Sequence, residues 1–459
     1  MIPFVAVASS GYATVGEAAV AAGRVPAPPP IGCSLMPRPD QPLRVAYLVY
    51  RGNPHCGGQG VYTRELAREL TALGHTVEVF SGQPYPDLVD TDQLTRVPSL
   101  DLYRPENPFR VPWPWEFKTR IDVAEFAIMC AAGFPEPYTF SMRVRRLLRD
   151  RRADFDVVHD NQCLGSGVAK MADAGWPMLA TLHHPVTVDR DLDLAHARRV
   201  WKRFTLHRWY GFIEMQTRVA RRLPRLVTVS ESSRRDIVAA MRVDADRLHV
   251  VPVGADPAVF RPRPEVRRVP GRIMTTASAD VPMKGLAPLL EAVAKVRTER
   301  DDAHLVVIGQ PKGKSAIPAL IDRLGLGGAV RFVHGVTTDR IVELYAEAEV
   351  AAVPSLYEGF SLPAVEAMAC GVPIVATTGG ALPEVIGRDG ETGLLVPPSD
   401  PSALAAALGR ALDDAALRQR IGAAGRARVL ERFTWRKTAE GTVEHYRALL
   451  DEQSGAPAR

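Results

Sequence analysis

The sequence predicts an α/β protein made of two doubly wound domains facing each other across a cleft. Three observations predict it. Short apolar runs rich in Val, Ile, Leu and Ala alternate with segments of helical period, the pattern of parallel sheets covered by helices on both faces. The alternation occurs in two series, separated by the turn-rich Val251-Pro252-Val253-Gly254-Ala255-Asp256-Pro257. The 459 residues, 46% hydrophobic and 24% charged, give each of two domains ample core.

In chain order, residues 1–40 are rich in Ala, Val, Gly and Pro and include Pro26-Ala27-Pro28-Pro29-Pro30. They are expected to form a disordered extension, or to precede a true start at Met36. No basic residue precedes the first apolar stretch, as a signal peptide would require. Strand pattern begins at Arg44 to Tyr50, and a loop with Cys56-Gly57-Gly58-Gln59-Gly60 follows. Val61, Leu66, Leu70 and Leu73 then mark a helix that Gly74 ends. Thr76 to Phe80 completes a βαβ unit, and further strands read at Phe155 to His159, Met178 to Leu182 and Leu226 to Val229. Ser230-Glu231-Ser232-Ser233 offers several N-caps for the next helix. The second series has strands at Arg272 to Thr276, His304 to Ile308, Val330 to Val333, Val350 to Val353 and Pro373 to Ala376. The expected domains are 41–253, completed by a C-terminal helix 433–452, and 254–432.

Composition removes several function classes. The longest apolar stretch, Phe126 to Phe134, is far shorter than the ~18–20 residues of a membrane span. The five cysteines contain no C-x-x-C pair, so no zinc or redox motif is readable, and free thiols suit the cytosol. A net charge of +5 suits anionic substrates without requiring nucleic acid. Asp90-Thr91-Asp92 and Asp191-Leu192-Asp193 have the form of metal-binding pairs, but a pattern that recurs by chance carries little information. No metal or cofactor is expected. Gly309-Gln310-Pro311-Lys312-Gly313-Lys314-Ser315 has three residues between its glycines where a P-loop needs four.

In a doubly wound sheet the ligand lies beyond the carboxyl ends of the strands. Glu358-Gly359-Phe360-Ser361-Leu362-Pro363-Ala364-Val365-Glu366 follows the strand Val350 to Val353. Gly359 permits close approach of backbone, the helix expected over Pro363 to Gly371 offers N–H groups to phosphate, and Glu366 is placed to accept from paired ribose hydroxyls. Alone, such a Glu would be a solvated helix residue. Its context is more specific. The two Glu, the run Ala367 to Ala376, Gly379 to Ile386, and Asp389 to Pro398 closely resemble glycosyltransferase family 4, and the resemblance extends from about Arg44 to Leu450.

The resemblance implies a GT-B fold, with two Rossmann-like domains, and retaining transfer from a UDP- or GDP-linked sugar by front-face displacement. It places Glu358 beside the donor sugar and Glu366 on the ribose. Amides of Phe360, Ser361 and Leu362 would reach sugar and phosphate, and Lys284 the diphosphate. Gly57 and Gly58 match the family's glycine loop, Gly309 its glycine turn near the nucleotide, and His183 its active-site histidine. Ala279 stands where the family pattern has Arg. From position alone, Asp160 and Asn161 are acceptor-side residues. The alternatives are a sugar-nucleotide epimerase of the same fold, a P-loop phosphotransferase, or a basic nucleic-acid-binding protein.

Residues 194–223 read as one long amphipathic helical stretch, broken at Gly211, with Arg198, Arg199, Lys202, Arg203, His207 and Arg208 in one basic stripe. A second basic cluster spans Arg143 to Arg152. Basic residues interleaved with aromatics fit a peripheral contact with an anionic membrane. Because only 8 of the 57 basic residues are Lys, an Arg-rich coding bias accounts for the same stripe on a solvated helix. A chain beginning at Met36 is expected to keep its melting temperature and activity; loss of soluble expression on that truncation contradicts the assignment of 1–35 as dispensable.

Overall fold

The computed structural model describes residues 41–52, 58–88, 93–104, 106–197, 199–276, 281–311 and 315–455. The N-terminal extension, Gly57, Asp90 to Asp92, Arg198, Ala279 and Lys312 to Lys314 lie outside the described residues.

Two parallel sheets form the frame. The first contains β1 (Arg44–Val49), β2 (Thr76–Ser81), β3 (Gln93–Arg96), β4 (Val157–Asn161), β5 (Met178–Leu182), β6 (Arg225–Thr228) and β7 (Leu248–Val250), in the order β3-β2-β1-β4-β5-β6-β7. The second contains β8 (Arg272–Thr276), β9 (His304–Ile308), β10 (Val330–Val333), β11 (Val350–Val353), β12 (Ile374–Thr377) and β13 (Leu394–Val396), in the order β10-β9-β8-β11-β12-β13. The uninterrupted apolar runs arise because helices cover both faces: every residue of β4, β5, β11 and β12 is buried. In each sheet the strand order reverses once, between β1 and β4 and between β8 and β11. Such a reversal opens a crevice at the carboxyl ends of the strands.

The chain passes between the two sheets twice, at adjacent points. The N–H of Ala255 donates to the carbonyl of Phe433 at 3.0 Å, and a Cβ on Gly254 would sit 2.4 Å from that carbonyl. Glycine is therefore required for the two passes to lie side by side. The final helix, Trp435–Ser454, then returns to the first sheet. Thr434 caps it, Thr438 Oγ1 donates to the carbonyl of Pro252 at 2.8 Å, and Trp435 meets the Tyr62 ring edge-on. Deeper in, Tyr446 Oη lies 2.6 Å from Nδ1 of the fully buried His159.

Two sequence expectations are corrected. Residues 194–223 are not one helix. They span parts of three, Thr187–His196, Val200–Trp209 and Phe212–Ala220, with a break near 197–199 as well as at Gly211. The Arg143 to Arg152 cluster is only partly exposed: Arg146 and Arg149 face solvent, whereas three others find partners in the fold. Arg143 turns inward to Asp122 and Glu125, Arg151 pairs with Glu78 and Asp154, and Arg152 lies over Trp176. Buried carboxylates compete for arginines that an i, i+3 pattern assigns to solvent.

Tyr446→Phe leaves a buried imidazole nitrogen without its partner, at a cost of about 1–3 kcal/mol. Chemical denaturation should show the first domain destabilised by that amount; an unchanged midpoint contradicts the pairing.

Candidate functional site

The second-domain wall is assembled from turns at the ends of β8, β11 and β12. A single helical turn, Pro282–Lys284, delivers Lys284, and Gly285 closes it at φ 66°. A Cβ on Gly285 would come within 1.9 Å of the Pro354 carbonyl, so only glycine lets this turn pack on the β11 loop. The N–H of Leu356 donates to the Met283 carbonyl at 2.8 Å and joins the two loops. Lys284 Nζ then reaches both carboxylate oxygens of Glu358, at 2.8 and 3.1 Å, while Ser355 Oγ donates to the nearer one at 2.7 Å. From the β12 side, the Ala381 N–H donates to the Glu358 carbonyl at 2.9 Å, with Gly379 and Gly380 pressed against the backbone of residues 355–358.

After Glu358 the backbone turns sharply. Phe360 is buried against Phe433, and Ser361 adopts φ 95°, a conformation that costs a residue with a Cβ of order 1–3 kcal/mol. Ser361 is the N-cap of the helix Leu362–Ala369, yet its side chain makes no cap bond and its buried Oγ has no partner among the described residues. Nor does any described group accept from the N–H groups of Phe360, Ser361 and Leu362. The strain thus holds three donors at a helix start, a place suited to anionic or hydroxyl oxygens. Glu366 follows one turn on, half-buried, and no described residue hydrogen-bonds its carboxylate. Burial pushes that carboxyl up to about 7.

The first-domain wall is a relay of side chains at the ends of β4 and β5. Thr63 Oγ1 donates to the Gln59 carbonyl at 2.8 Å and accepts from Asn161 Nδ2 at 3.1 Å. Asn161 Oδ1 therefore faces His183 Nε2, 2.7 Å away, and the ring must be protonated at that nitrogen. Burial drives the His183 imidazole down to about 3, so it stays neutral at working pH and keeps its Nδ1 lone pair. Tyr62 lies edge-on to the ring, and Gln162 Oε1 holds the His183 N–H at 2.8 Å. Gly58 is the first residue of the helix Gly58–Ala72, beside the β1–β4 crevice. Asp160 holds its own loop with one carboxylate oxygen, while its buried Oδ1 has no partner among the described residues. It is fully buried, its Oδ2 accepts from the Leu164 N–H at 2.7 Å, and burial raises its carboxyl to about 7. It stabilises a loop in which Gln162 and Leu164 both have positive φ.

The walls touch. Ser230 Oγ and Ser233 Oγ, from the first domain, both donate to the Gly359 carbonyl, at 2.6 and 3.0 Å. A Cβ on Gly359 would stand 3.2 Å from the His183 carbonyl. Glu384 reaches back from the second domain, its two oxygens accepting from the N–H groups of Glu231 and Ser232 at 2.8 and 2.6 Å. That carboxylate thus caps the helix Glu231–Met241, where the positive end of the helix dipole favours it. Tyr357 adds a hydrogen bond to Asp236. Lys284, Glu358, Gly359 and the 360–362 amides thus lie together, with Gly359 against the His183 carbonyl and Glu366 further along the same helix. The N–H of Gly309 closes β9 onto the Val333 carbonyl at 2.8 Å. Asp191 and Asp193 lie on the helix Thr187–His196, paired with Arg190 and Tyr210.

Comparison with known proteins matches this geometry to a family. Residues 56–259 match the family model described as Glycosyltransferase Family 4, and residues 262–428 match Glycosyl transferases group 1. The chain is 53% identical over 410 residues to the MMP α-(1→4)-mannosyltransferase of Mycolicibacterium hassiacum, covering 89% of this chain and 98% of that one. The chain belongs to glycosyltransferase family 4. Among solved structures, the sucrose-phosphate synthase of Thermosynechococcus elongatus aligns with a TM-score of 0.66 at 23% identity, covering 89% of this chain and 100% of that one. Anabaena HepE in complex with UDP-glucose aligns at 0.64 and 17%, covering 88% and 99%. Both are likenesses of fold. The protein is a glycosyltransferase of GT-B architecture, an α/β pair of Rossmann-like domains.

Sequence reasoning missed the interdomain contacts of this glycosyltransferase. Glu384 lies in a recognised segment, but no local pattern shows that it caps a helix some 150 residues earlier in the chain. Ser230 was readable as an N-cap; its second bond, to Gly359, was not.

Because the folded state raises the Glu366 carboxyl above its usual value near 4.5, that group's contribution to stability is full below pH 4.5 and is lost as pH rises through about 7. Glu366→Gln, uncharged throughout, should match the native melting temperature at pH 4.5 and exceed it at pH 8. Parallel curves across that range contradict the burial assigned to Glu366.

Proposed function

We propose that this glycosyltransferase is a retaining mannosyltransferase that moves mannose from a nucleoside diphosphate-linked donor to a saccharide hydroxyl, forming an α-(1→4) bond. The observation that carries the donor half is the Lys284–Glu358 pair beside three unpartnered amides, with Glu366 one turn further along the helix. In this reading Lys284 and the amides of Phe360, Ser361 and Leu362 meet the diphosphate and sugar oxygens, and Glu366 accepts from the ribose. Glu358 orients Lys284 and lies against the donor sugar. The UDP-glucose named in the HepE structure supports a nucleotide-sugar at this wall. The relative's name supports mannose and the α-(1→4) linkage.

The first domain takes the acceptor, with His183 and Asn161 on the reacting face. The acceptor oxygen attacks the anomeric carbon from the side on which the diphosphate departs. As the new C–O bond forms and the donor C–O bond breaks, the acceptor proton passes to the departing phosphate oxygen. Nucleotide-linked mannose is α, so an α product means retention. Neutral His183 donates Nε2–H to Asn161 and is not needed as a nucleophile. Lys284 and the helix amides supply the positive charge that a metal supplies in other transferases, and this reading assigns no role to a metal or cofactor. The unpaired thiols of Cys163 and Cys370 suit a cytosolic setting.

A thermal-shift comparison of GDP-mannose with UDP-glucose tests the donor, since only a ligand of the folded form raises the melting temperature. GDP-mannose should stabilise the protein more; no shift with either rejects the donor site. Lys284→Ala should lower kcat by about 10²-fold, as loss of one transition-state donor does, with a smaller effect on donor affinity. Weakened donor affinity with kcat unchanged would make Lys284 a ground-state binder.

A further inference from the structure

The first domain displays an apolar surface that the transfer reaction does not use. After β3 the chain forms a loop and the helix Arg120–Cys130. Trp113 and Trp115 stack at 5.0 Å with 6° between their planes, yet are 62% and 71% exposed, and Val111 beside them is 76% exposed. The loop is built to hold them there. Buried Arg110 binds the Leu100 carbonyl at 2.6 Å and pairs with Glu116, and Glu116 Oε1 accepts from the Trp113 N–H at 2.7 Å.

The helix that follows is inverted relative to an ordinary surface helix. Its carboxylates, Asp122 and Glu125, are buried on Arg143, while Val123, Ala124, Ala127 and Cys130 face solvent. A second exposed apolar group comes from the helix Val200–Trp209, where Trp201 is 55% and Phe204 65% exposed. The two segments meet, Arg208 Nε donating to the Ala131 carbonyl at 3.1 Å and Trp209 packing 6.1 Å from Phe109.

On the two segments themselves the exposed charge is basic, while Asp191 and Asp193 lie exposed on the neighbouring helix Thr187–His196. Lys118, Arg120, Arg199 and Arg203 are exposed, with Lys202 half-buried among them. Apart from Glu106, each carboxylate of residues 106–131 is paired with an arginine, and the helix Val200–Trp209 has none. Interfacial tryptophans with a basic rim fit the boundary of an anionic bilayer, where indoles enter the headgroup layer and cations meet phosphates. A second copy of the chain fits less well, because a two-fold contact would bring basic rim to basic rim. No described helix is long and apolar enough to cross a membrane, so the contact is peripheral.

We propose that this surface, comprising Trp113, Trp115, Val123, Trp201 and Phe204 with its basic rim, docks the enzyme on an anionic lipid bilayer. The proposal is independent of the donor assignment. The full chain is mixed with phosphatidylglycerol or phosphatidylcholine vesicles, without donor, and sedimented at low and high salt. It should pellet with phosphatidylglycerol at low salt and be released as salt rises. The pairs Trp113→Ser with Trp115→Ser, and Lys202→Glu with Arg203→Glu, should each weaken binding at least tenfold while leaving transfer to a soluble acceptor unchanged. Three results overturn it: no sedimentation with phosphatidylglycerol at any salt concentration; binding that survives both paired variants; or indole fluorescence that responds to soluble α-mannosides and not to vesicles.

Discussion

The carbonyl oxygen of Gly359 is the point on which the two halves of this enzyme close. Two serine hydroxyls from the first domain donate to it, and the absence of a side chain at 359 lets the His183 carbonyl approach. With that carbonyl turned to the first domain, the chain sends Phe360 into the core, takes Ser361 through a left-handed conformation, and starts a helix whose first amides have no partner among the described residues. One local geometry therefore joins the domains and sets out the donors of the candidate site. Glu384, capping a helix in the opposite domain, holds the same closure from a second direction.

Desolvation sets the character of each wall. In the second domain it leaves Glu366 with a carboxyl near 7 and no hydrogen-bond partner among the described residues. Glu358, just outside the same helix, is buried but has Lys284 and Ser355 as partners. In the first domain burial keeps His183 neutral, and a chain of oriented amide and hydroxyl groups selects its tautomer. Two carboxylates and one imidazole are thus given different tasks by their surroundings more than by their residue type.

Legibility in the sequence followed the range of the interactions concerned. Strands buried on both faces, such as Met178–Leu182 and His304–Ile308, were readable to the residue because burial writes an unbroken apolar run. The short strands Gln93–Arg96, Leu248–Val250 and Leu394–Val396 were not: they lie at sheet edges, where one neighbour suffices and the run is too short to stand out. The motif from Glu358 to Glu366 was readable as a loop and helix start, but its strain at Ser361 was not, since Ser has no intrinsic tendency toward φ 95°. The structural part played by Asp160 was illegible for a related reason. A strand-end carboxylate looks the same in sequence whether it faces a ligand or holds its own loop, and only burial separates the two.

By itself the sequence determined the α/β class, the two parallel sheets, the glycine-dependent turns and the membership in glycosyltransferase family 4. These depend on periodicity, on residues with special backbone freedom and on contiguous motifs, all of which are local. The tertiary structure alone decided which residues meet: Lys284 with Glu358, His183 with Asn161, Ser230 with Gly359, and Arg143 with the inward carboxylates that leave a helix showing its apolar face. Those contacts join positions 18 to 129 residues apart, and their energies depend on burial and orientation that arise only once the sheets have formed.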